Sequence, residues 1–282
     1  MSYTTVVSTG ILAEHLSDPN WVIVDCRFTL TDTEAGRRAY AAGHLPGARY
    51  AHLDEDLSAP KTGSNGRHPL PDPAVFAQTL GRWGIDAGKQ VVVYDDSFGA
   101  MAVRLWWMLR WMGHDAVALM DGGLPKWQRE KRPMTTDVPA VAPVVFVAQV
   151  REGMRVDANA VLAASGNAKE LLLDARPEMR FLGEMEPIDP VAGHVPGAVN
   201  VPFDDNLDLG GTLLAADELR EMYEGLLAGR KAEEVIHMCG SGVTACHNLL
   251  AMEIAGLPGA KLYPGSWSEW IADPSRPIAT GE

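Results

Sequence analysis

The chain repeats itself, and the repeat limits its architecture more than any other feature. A turn of the form Gly-His-x-Pro-Gly-Ala occurs as Gly43-His44-Leu45-Pro46-Gly47-Ala48 and again as Gly193-His194-Val195-Pro196-Gly197-Ala198. Its neighbours recur in the same order. Ile23-Val24-Asp25-Cys26-Arg27 is echoed by Leu171-Leu172-Leu173-Asp174-Ala175-Arg176, and the run 91–95 by 235–239. Gly122 to Trp127 is mirrored by Gly265 to Trp270. A repeat this long duplicates a whole domain rather than a solenoid unit. In each copy short apolar runs alternate with helix-period stretches, the pattern of an α/β unit built on a mainly parallel sheet flanked by helices. The 282 residues suffice for two such domains. The expected division is 1–130, a connector at 131–150, and 151–282. The connector carries Pro133, Pro139 and Pro143, which favour an extended, semi-rigid path packed on the surface.

Within the first copy, Trp21-Val22-Ile23-Val24-Asp25 and Val91-Val92-Val93-Tyr94 are continuous apolar runs, typical of strands buried on both faces. Residues 99–112 form a Trp-rich helix whose Trp106, Trp107 and Trp111 belong to the core. Residues 54–73, rich in Gly, Pro and Ser, are expected to be a long exposed loop.

The copies differ at one chemically decisive place. The second has Val235-Ile236-His237-Met238-Cys239-Gly240-Ser241-Gly242-Val243-Thr244-Ala245, an apolar strand, a glycine-broken turn and a helix start. The first has Asp95 where the second has Cys239. Unpaired N–H groups and the positive end of a helix favour an anion at such a junction, and a thiolate is one. Gly240 and Gly242 leave the loop's N–H groups unobstructed, and Ser241 and Thr244 add hydroxyls. Cys239 is therefore the candidate nucleophile. The first copy, with Asp95, is expected to be catalytically silent and to form one wall of the site. Cys26 and Cys246 have no such surroundings and are expected to be small buried hydrophobes.

Three kinds of site share this strand–turn–helix form. Gly240 to Ala245 fits the dinucleotide fingerprint G-x-G-x-x-A, but too little chain follows to build that domain. A cysteine phosphatase or arsenate reductase places an arginine where this chain has Ala245. A sulfurtransferase, whose cysteine carries a sulfane sulfur, needs only a compact ring of N–H donors.

The loop, the paired Ala-Gly-His-x-Pro-Gly-Ala turns at 42–48 and 192–198, Val103-Arg104-Leu105-Trp106-Trp107 and Gly265-Ser266-Trp267-Ser268-Glu269-Trp270 together resemble the tandem-domain rhodanese superfamily of thiosulfate and 3-mercaptopyruvate sulfurtransferases. The resemblance spans nearly the whole chain. It implies a Cys239 persulfide, with Gly240, Ser241, Gly242, Val243 and Thr244 forming the substrate loop. It implies a small anionic sulfur donor, a thiol, thioredoxin or cyanide as acceptor, and no metal or organic cofactor. Cys-Gly-Ser-Gly-Val-Thr resembles the mercaptopyruvate branch, whereas thiosulfate enzymes tend to carry Arg-Lys after the cysteine. Arg180 falls where the family binds the substrate anion. The second arginine usual in mercaptopyruvate enzymes is missing, since the matching stretch reads Glu186-Pro187-Ile188-Asp189-Pro190. That gap resembles the thiosulfate branch. A thiosulfate:cyanide sulfurtransferase, or a non-catalytic sulfur- or anion-binding module, is the alternative reading.

Arg27 and Arg176 recur in both copies, so they are expected to form internal ion pairs. His194 is expected to be a turn residue, with His44 or Asp32 a candidate for proton transfer. His237 and His247 are expected to be structural, and Trp267 and Trp270 to pack or to rim the pocket. The net charge of −13 argues against nucleic acid and anionic membranes as partners. An odd three cysteines without C-x-x-C argue against a disulfide scaffold or zinc site and fit a reducing cytoplasm. The N-terminal residues show no signal-peptide pattern, and no apolar run is long enough to span a bilayer.

Overall fold

Val91, Val92, Val93 and Tyr94 are wholly buried, because helices cover both faces of the sheet that contains them. In the computed structural model, which describes residues 2–167 and 169–281, this sheet has five strands and a second sheet has four. The first contains β1 (Val6–Val7), β2 (Trp21–Asp25), β3 (Arg49–Tyr50), β4 (Gln90–Tyr94) and β5 (Val117–Met120) in the order β1-β5-β4-β2-β3. The second contains β6 (Leu171–Asp174), β7 (Ala198–Asn200), β8 (Val235–Met238) and β9 (Lys261–Leu262) in the order β7-β6-β8-β9. All strand pairings within the two sheets are parallel among the described residues. The four strands of the second sheet repeat β3, β2, β4 and β5 of the first. A lone parallel bridge from Arg155 to Leu262 lies where β1 pairs in the first sheet. Register agrees as well: Asp25 pairs with Tyr94 and Asp174 with Met238. Asp95 and Cys239 are thus equivalent, each the first residue beyond its strand.

Side chains alternate across β6 as strand geometry requires. Leu171 and Leu173 join Leu219, Tyr223 and Val235 on one face. Leu172 joins Ile236, Met238, Trp267 and Trp270 on the other. Both tryptophans are fully buried, and their indole N–H groups donate to the carbonyls of Val191 and Pro277. They are core residues and do not rim a pocket. Trp106, Trp107 and Trp111 are buried as expected.

The repeated turns are structural. Arg27 donates to Asp25 and to Gly43 O, and Arg176 donates to Asp174 and to Gly193 O. Both ion pairs are buried. His44 stacks on Tyr40 and His194 on Phe181, and each pairs antiparallel with a distant segment, at Thr135 and Ala279 respectively. Both ring nitrogens of His44 face backbone carbonyls, those of Tyr40 and Asp137. Asp32 is exposed and paired with Arg38. Neither residue is placed for proton transfer.

The chain divides into two compact units. One is Met1–Ala59, Leu70–Arg151 and Gly210–Thr212, and the other is Pro60–Pro69, Glu152–Leu209 and Leu213–Glu282. Residues 131–150 lie along the first unit, where Val144 N–H donates to Gly81 O and Gln149 N–H to Met112 O. The loop expected to be exposed over 54–73 is only partly so. Residues 60–64 are exposed, but His68 and Pro69 are buried. The segment Pro60–Pro69 belongs to the second unit although it comes from the first copy. Its Gly66 has φ +82°, and a Cβ there would lie 2.9 Å from Gly265 O. Arg67 N–H donates to Ser268 Oγ at 2.9 Å. Composition reports that such a segment is irregular but not what it packs against. Among the described residues no helix is long and apolar enough to cross a membrane.

Candidate active site

Cys239 leaves β8 and opens a loop that ends where the helix Ala245–Ile254 begins. The turn after β9 clamps this loop. Cys239 N–H donates to Ser266 Oγ at 3.1 Å, and the carbonyls of Cys239 and Gly240 accept from the N–H groups of Trp267 and Ser268. Gly242 has φ +72°, and a Cβ on it would come within 2.3 Å of Pro264 O, so no other residue fits without displacing that turn. Cys239 is 2% exposed.

The first unit displays what such a loop does with an anion. Asp95 Oδ1 accepts from the N–H groups of Ser97 and Gly99, and Oδ2 from those of Met101 and Ala102, all at 2.8–2.9 Å. The loop of the first unit is a ring of N–H donors filled by its own carboxylate. Burial nonetheless pushes the Asp95 carboxyl above its usual range, against the pull of the four donors. In the second unit the smaller side chain of Cys239 stands where that carboxylate does. The N–H groups of Ser241, Val243, Thr244 and Ala245 take no protein acceptor among the described residues.

Two side chains that the sequence reading missed reach this loop from the segment Pro60–Pro69. His68 Nδ1 lies 2.7 Å from Ser241 Oγ, and both residues are buried. Arg67 Nη1 donates to Asp189 Oδ1 at 2.5 Å. Asp189 Oδ2 in turn accepts from Arg180 Nη2 at 2.9 Å, and Arg180 Nε donates to Glu186 at 3.0 Å. Burial works against ionisation of Glu186, but the Arg180 hydrogen bond and the N–H groups of Asp189 and Ile188 hold its carboxyl below the usual range. Arg67 and Arg180 meet at Gly240. A Cβ on Gly240 would lie 2.9 Å from Arg67 Nη2 and 3.6 Å from each terminal nitrogen of Arg180. The sequence reading gave the loop no cation except Arg180 at its edge; the structure sets two guanidiniums beside it.

Arg176 is buried over the ring of Trp267, 4.8 Å from its centroid. Burial opposes its charge, but Asp174 first, then Glu186 and the Cys239 sulfur, outweigh that and raise its pKa. His237, in β8, is fully buried, with Nε2 3.1 Å from Met252 Sδ and Nδ1 unpartnered. Burial alone lowers its pKa to about 3, so it is a neutral structural residue. His247 lies in a buried polar cluster with Asn206, also as a structural residue. Cys26 is buried among carboxylates, and burial followed by Asp25 raises its thiol well above the usual range. Cys246 Sγ turns back to Gly242 O.

A signal for His68 was present in the sequence. No histidine occurs in the corresponding stretch of the second copy, so His68, like Cys239, marks a difference between the copies. Arg67 had no such signal, because its role depends on a partner 122 positions away.

Comparison with known proteins agrees with this architecture. The family model for the rhodanese-like domain matches residues 8–130 and 157–273. The chain is 48% identical over 284 aligned residues, covering all of both chains, to a protein of Pseudomonas aeruginosa named "Probable 3-mercaptopyruvate sulfurtransferase". It is 33% identical to the thiosulfate sulfurtransferase of Rattus norvegicus, over 99% of this chain and 97% of that one. It superposes on the crystal structure of the Escherichia coli 3-mercaptopyruvate enzyme with a TM-score of 0.81 at 35% identity, covering 95% of this chain and 100% of the other. The chain is a two-domain member of the rhodanese-like family of sulfurtransferases.

Proposed function

We propose that the protein transfers the sulfur of 3-mercaptopyruvate to a thiol, thioredoxin or cyanide acceptor through a persulfide on Cys239. The observation that supports this reading is the pair of equivalent loops, one occupied by the Asp95 carboxylate and the other opening on Cys239, where the N–H groups of Ser241, Val243, Thr244 and Ala245 take no protein acceptor among the described residues. The Cys239 thiolate attacks the donor sulfur. The carbon–sulfur bond breaks, its electron pair leaves on carbon as the enolate of pyruvate, and the enolate takes up a proton. Loop N–H groups and Ser241 hold the sulfur anion, and Arg180 holds the donor carboxylate. His68 and Ser241 are the acid–base pair on the loop. An acceptor thiolate or cyanide then attacks the outer sulfur, and Cys239 leaves as thiolate, completing a double displacement. Three free thiols suit a reducing compartment, and this reading places the enzyme in the cytoplasm.

The charges favour a donor with one negative charge. Arg67 and Arg180 are balanced by Glu186 and Asp189, and Arg176 by Asp174, so the site has little net charge to offer a dianion such as thiosulfate. The test is kcat/KM for both donors with cyanide as acceptor, together with mass spectrometry of Cys239 after donor alone. Mercaptopyruvate is expected to exceed thiosulfate by about 10- to 100-fold, the worth of one charged hydrogen bond acting on the transition state. A thiosulfate value equal to or above it overturns the substrate assignment. If neither donor loads Cys239, the chain is a sulfur- or anion-binding module instead.

A further inference from the structure

We propose that the first unit binds a small organic carboxylate with an apolar body, in the cavity between Arg49, Lys89 and the connector. The cavity lies at the N-terminal ends of β2 and β4, the end of the sheet away from the Asp95 loop, so the proposal does not depend on the sulfur-transfer reading. Its volume is about 440 Å³, within the range of small-molecule sites. A second cavity of about 360 Å³ adjoins it, and Trp21 and Lys89 line both.

Arg49 is the group that calls for an anion. Its Nε donates to Trp83 O at 3.1 Å and its Nη1 to Gly47 O at 2.8 Å. Its Nη2 has no protein acceptor among the described residues. Nη2 and Val141 Cγ1 stand 3.8 and 3.0 Å from the point where a Gly84 Cβ would be, so the open edge of the guanidinium meets the connector at the cavity wall. Burial opposes the charge of Arg27 and Arg176 as well, but their aspartates outweigh it and raise their pKa. For Arg49 burial prevails and the pKa falls, since no carboxylate pairs with it among the described residues. A half-buried cation without a counter-charge is costly until an anion joins it.

Lys89 adds a second cation, whose Nζ gives one donor to Pro19 O at 2.9 Å. The carboxylate in the lining, Asp18, is turned to the Asn20 N–H and to His15. The cavity therefore offers positive charge in a chain whose net charge is −13. Leu16, Trp21, Pro46, Val141 and Val144 supply apolar walls. Such walls would take water from an inorganic anion and give it no contacts, whereas a hydrocarbon body packs on them. The second copy has neither cation. By strand register Val199 and Glu233 stand where the first has Arg49 and Lys89.

Calorimetry on the full-length protein with 3-phenylpropionate tests this, with inorganic phosphate for comparison. Wild type is expected to bind 3-phenylpropionate with a Kd of about 1 mM or below, and at least about tenfold more tightly than phosphate. Arg49→Val and Lys89→Glu, which install the residues of the second copy, each weaken that binding about tenfold or more. Lys89→Glu serves if Arg49→Val does not fold. Both variants keep kcat and KM for sulfur transfer within about twofold of wild type. Failure of wild type to bind at about 10 mM overturns the proposal. So does an affinity that neither variant changes, which would place the ligand elsewhere, as at the Arg180 loop. Phosphate binding as tight as that of 3-phenylpropionate, and equally lost with Arg49, overturns the organic class of the ligand.

Discussion

His68 Nδ1 lies 2.7 Å from Ser241 Oγ, joining residues 173 positions apart in the chain. The contact is buried, so neither group exchanges its partner freely with water. Ser241 is two residues past Cys239, and His68 is a titratable group in hydrogen-bond reach of the loop.

His68→Ala and Ser241→Ala are each expected to lower kcat for mercaptopyruvate about 100-fold or more, the usual worth of a positioned acid–base group. Because the two act as a unit, the double variant should lose little beyond either single one. Losses that multiply in the double variant, read from steady-state kinetics, would show that they work separately.

Cys239→Ser should abolish transfer with the fold intact, by circular dichroism and thermal unfolding. Cys26→Ser and Cys246→Ser should keep most activity, because Cys26 is a buried thiol held protonated and Cys246 bonds its own loop. Alkylation of the native protein followed by peptide mapping should label neither of these two. Substantial turnover by Cys239→Ser sinks the assignment of the nucleophile.

A fragment beginning near Val150 should be poorly active even if soluble. Such a fragment lacks Pro60–Pro69, and with it Arg67 and His68, although that segment belongs to the compact unit containing Cys239. Specific activity equal to that of the full chain would show that neither side chain matters.

His237 makes stability depend on pH. Folded, its imidazole stays neutral down to about 3; unfolded, it takes a proton near the ordinary 6.5. Between these values the unfolded chain binds a proton that the folded chain does not. Its contribution is intact above pH 6.5 and is lost as the pH falls toward 3. From pH 7 to pH 5 the loss is about 2 kcal/mol. Urea unfolding of wild type and His237→Val at both pH values checks this: the variant should lose about 2 kcal/mol less. Equal losses would place the proton elsewhere.

The sequence by itself determined what depends on neighbours along the chain. Buried parallel strands read as continuous apolar runs, as at Val91 to Tyr94, because both faces of the sheet are covered. The duplication set Cys239 against Asp95, which the strand register bears out, and marked Arg27 and Arg176 as internal ion pairs, whose partners Asp25 and Asp174 the structure supplies. Only the tertiary structure decided which side chains surround the loop. Arg67 and His68 lie in a Gly- and Pro-rich stretch with no periodicity, so nothing local shows that the segment docks on Gly265 and Ser268. The same folding returned His44 to backbone carbonyls and set an arginine from the first copy opposite Asp189. Pairings of that kind are made by packing between distant segments. Their energy depends on which groups are brought together and buried, and spacing along the chain carries no trace of it.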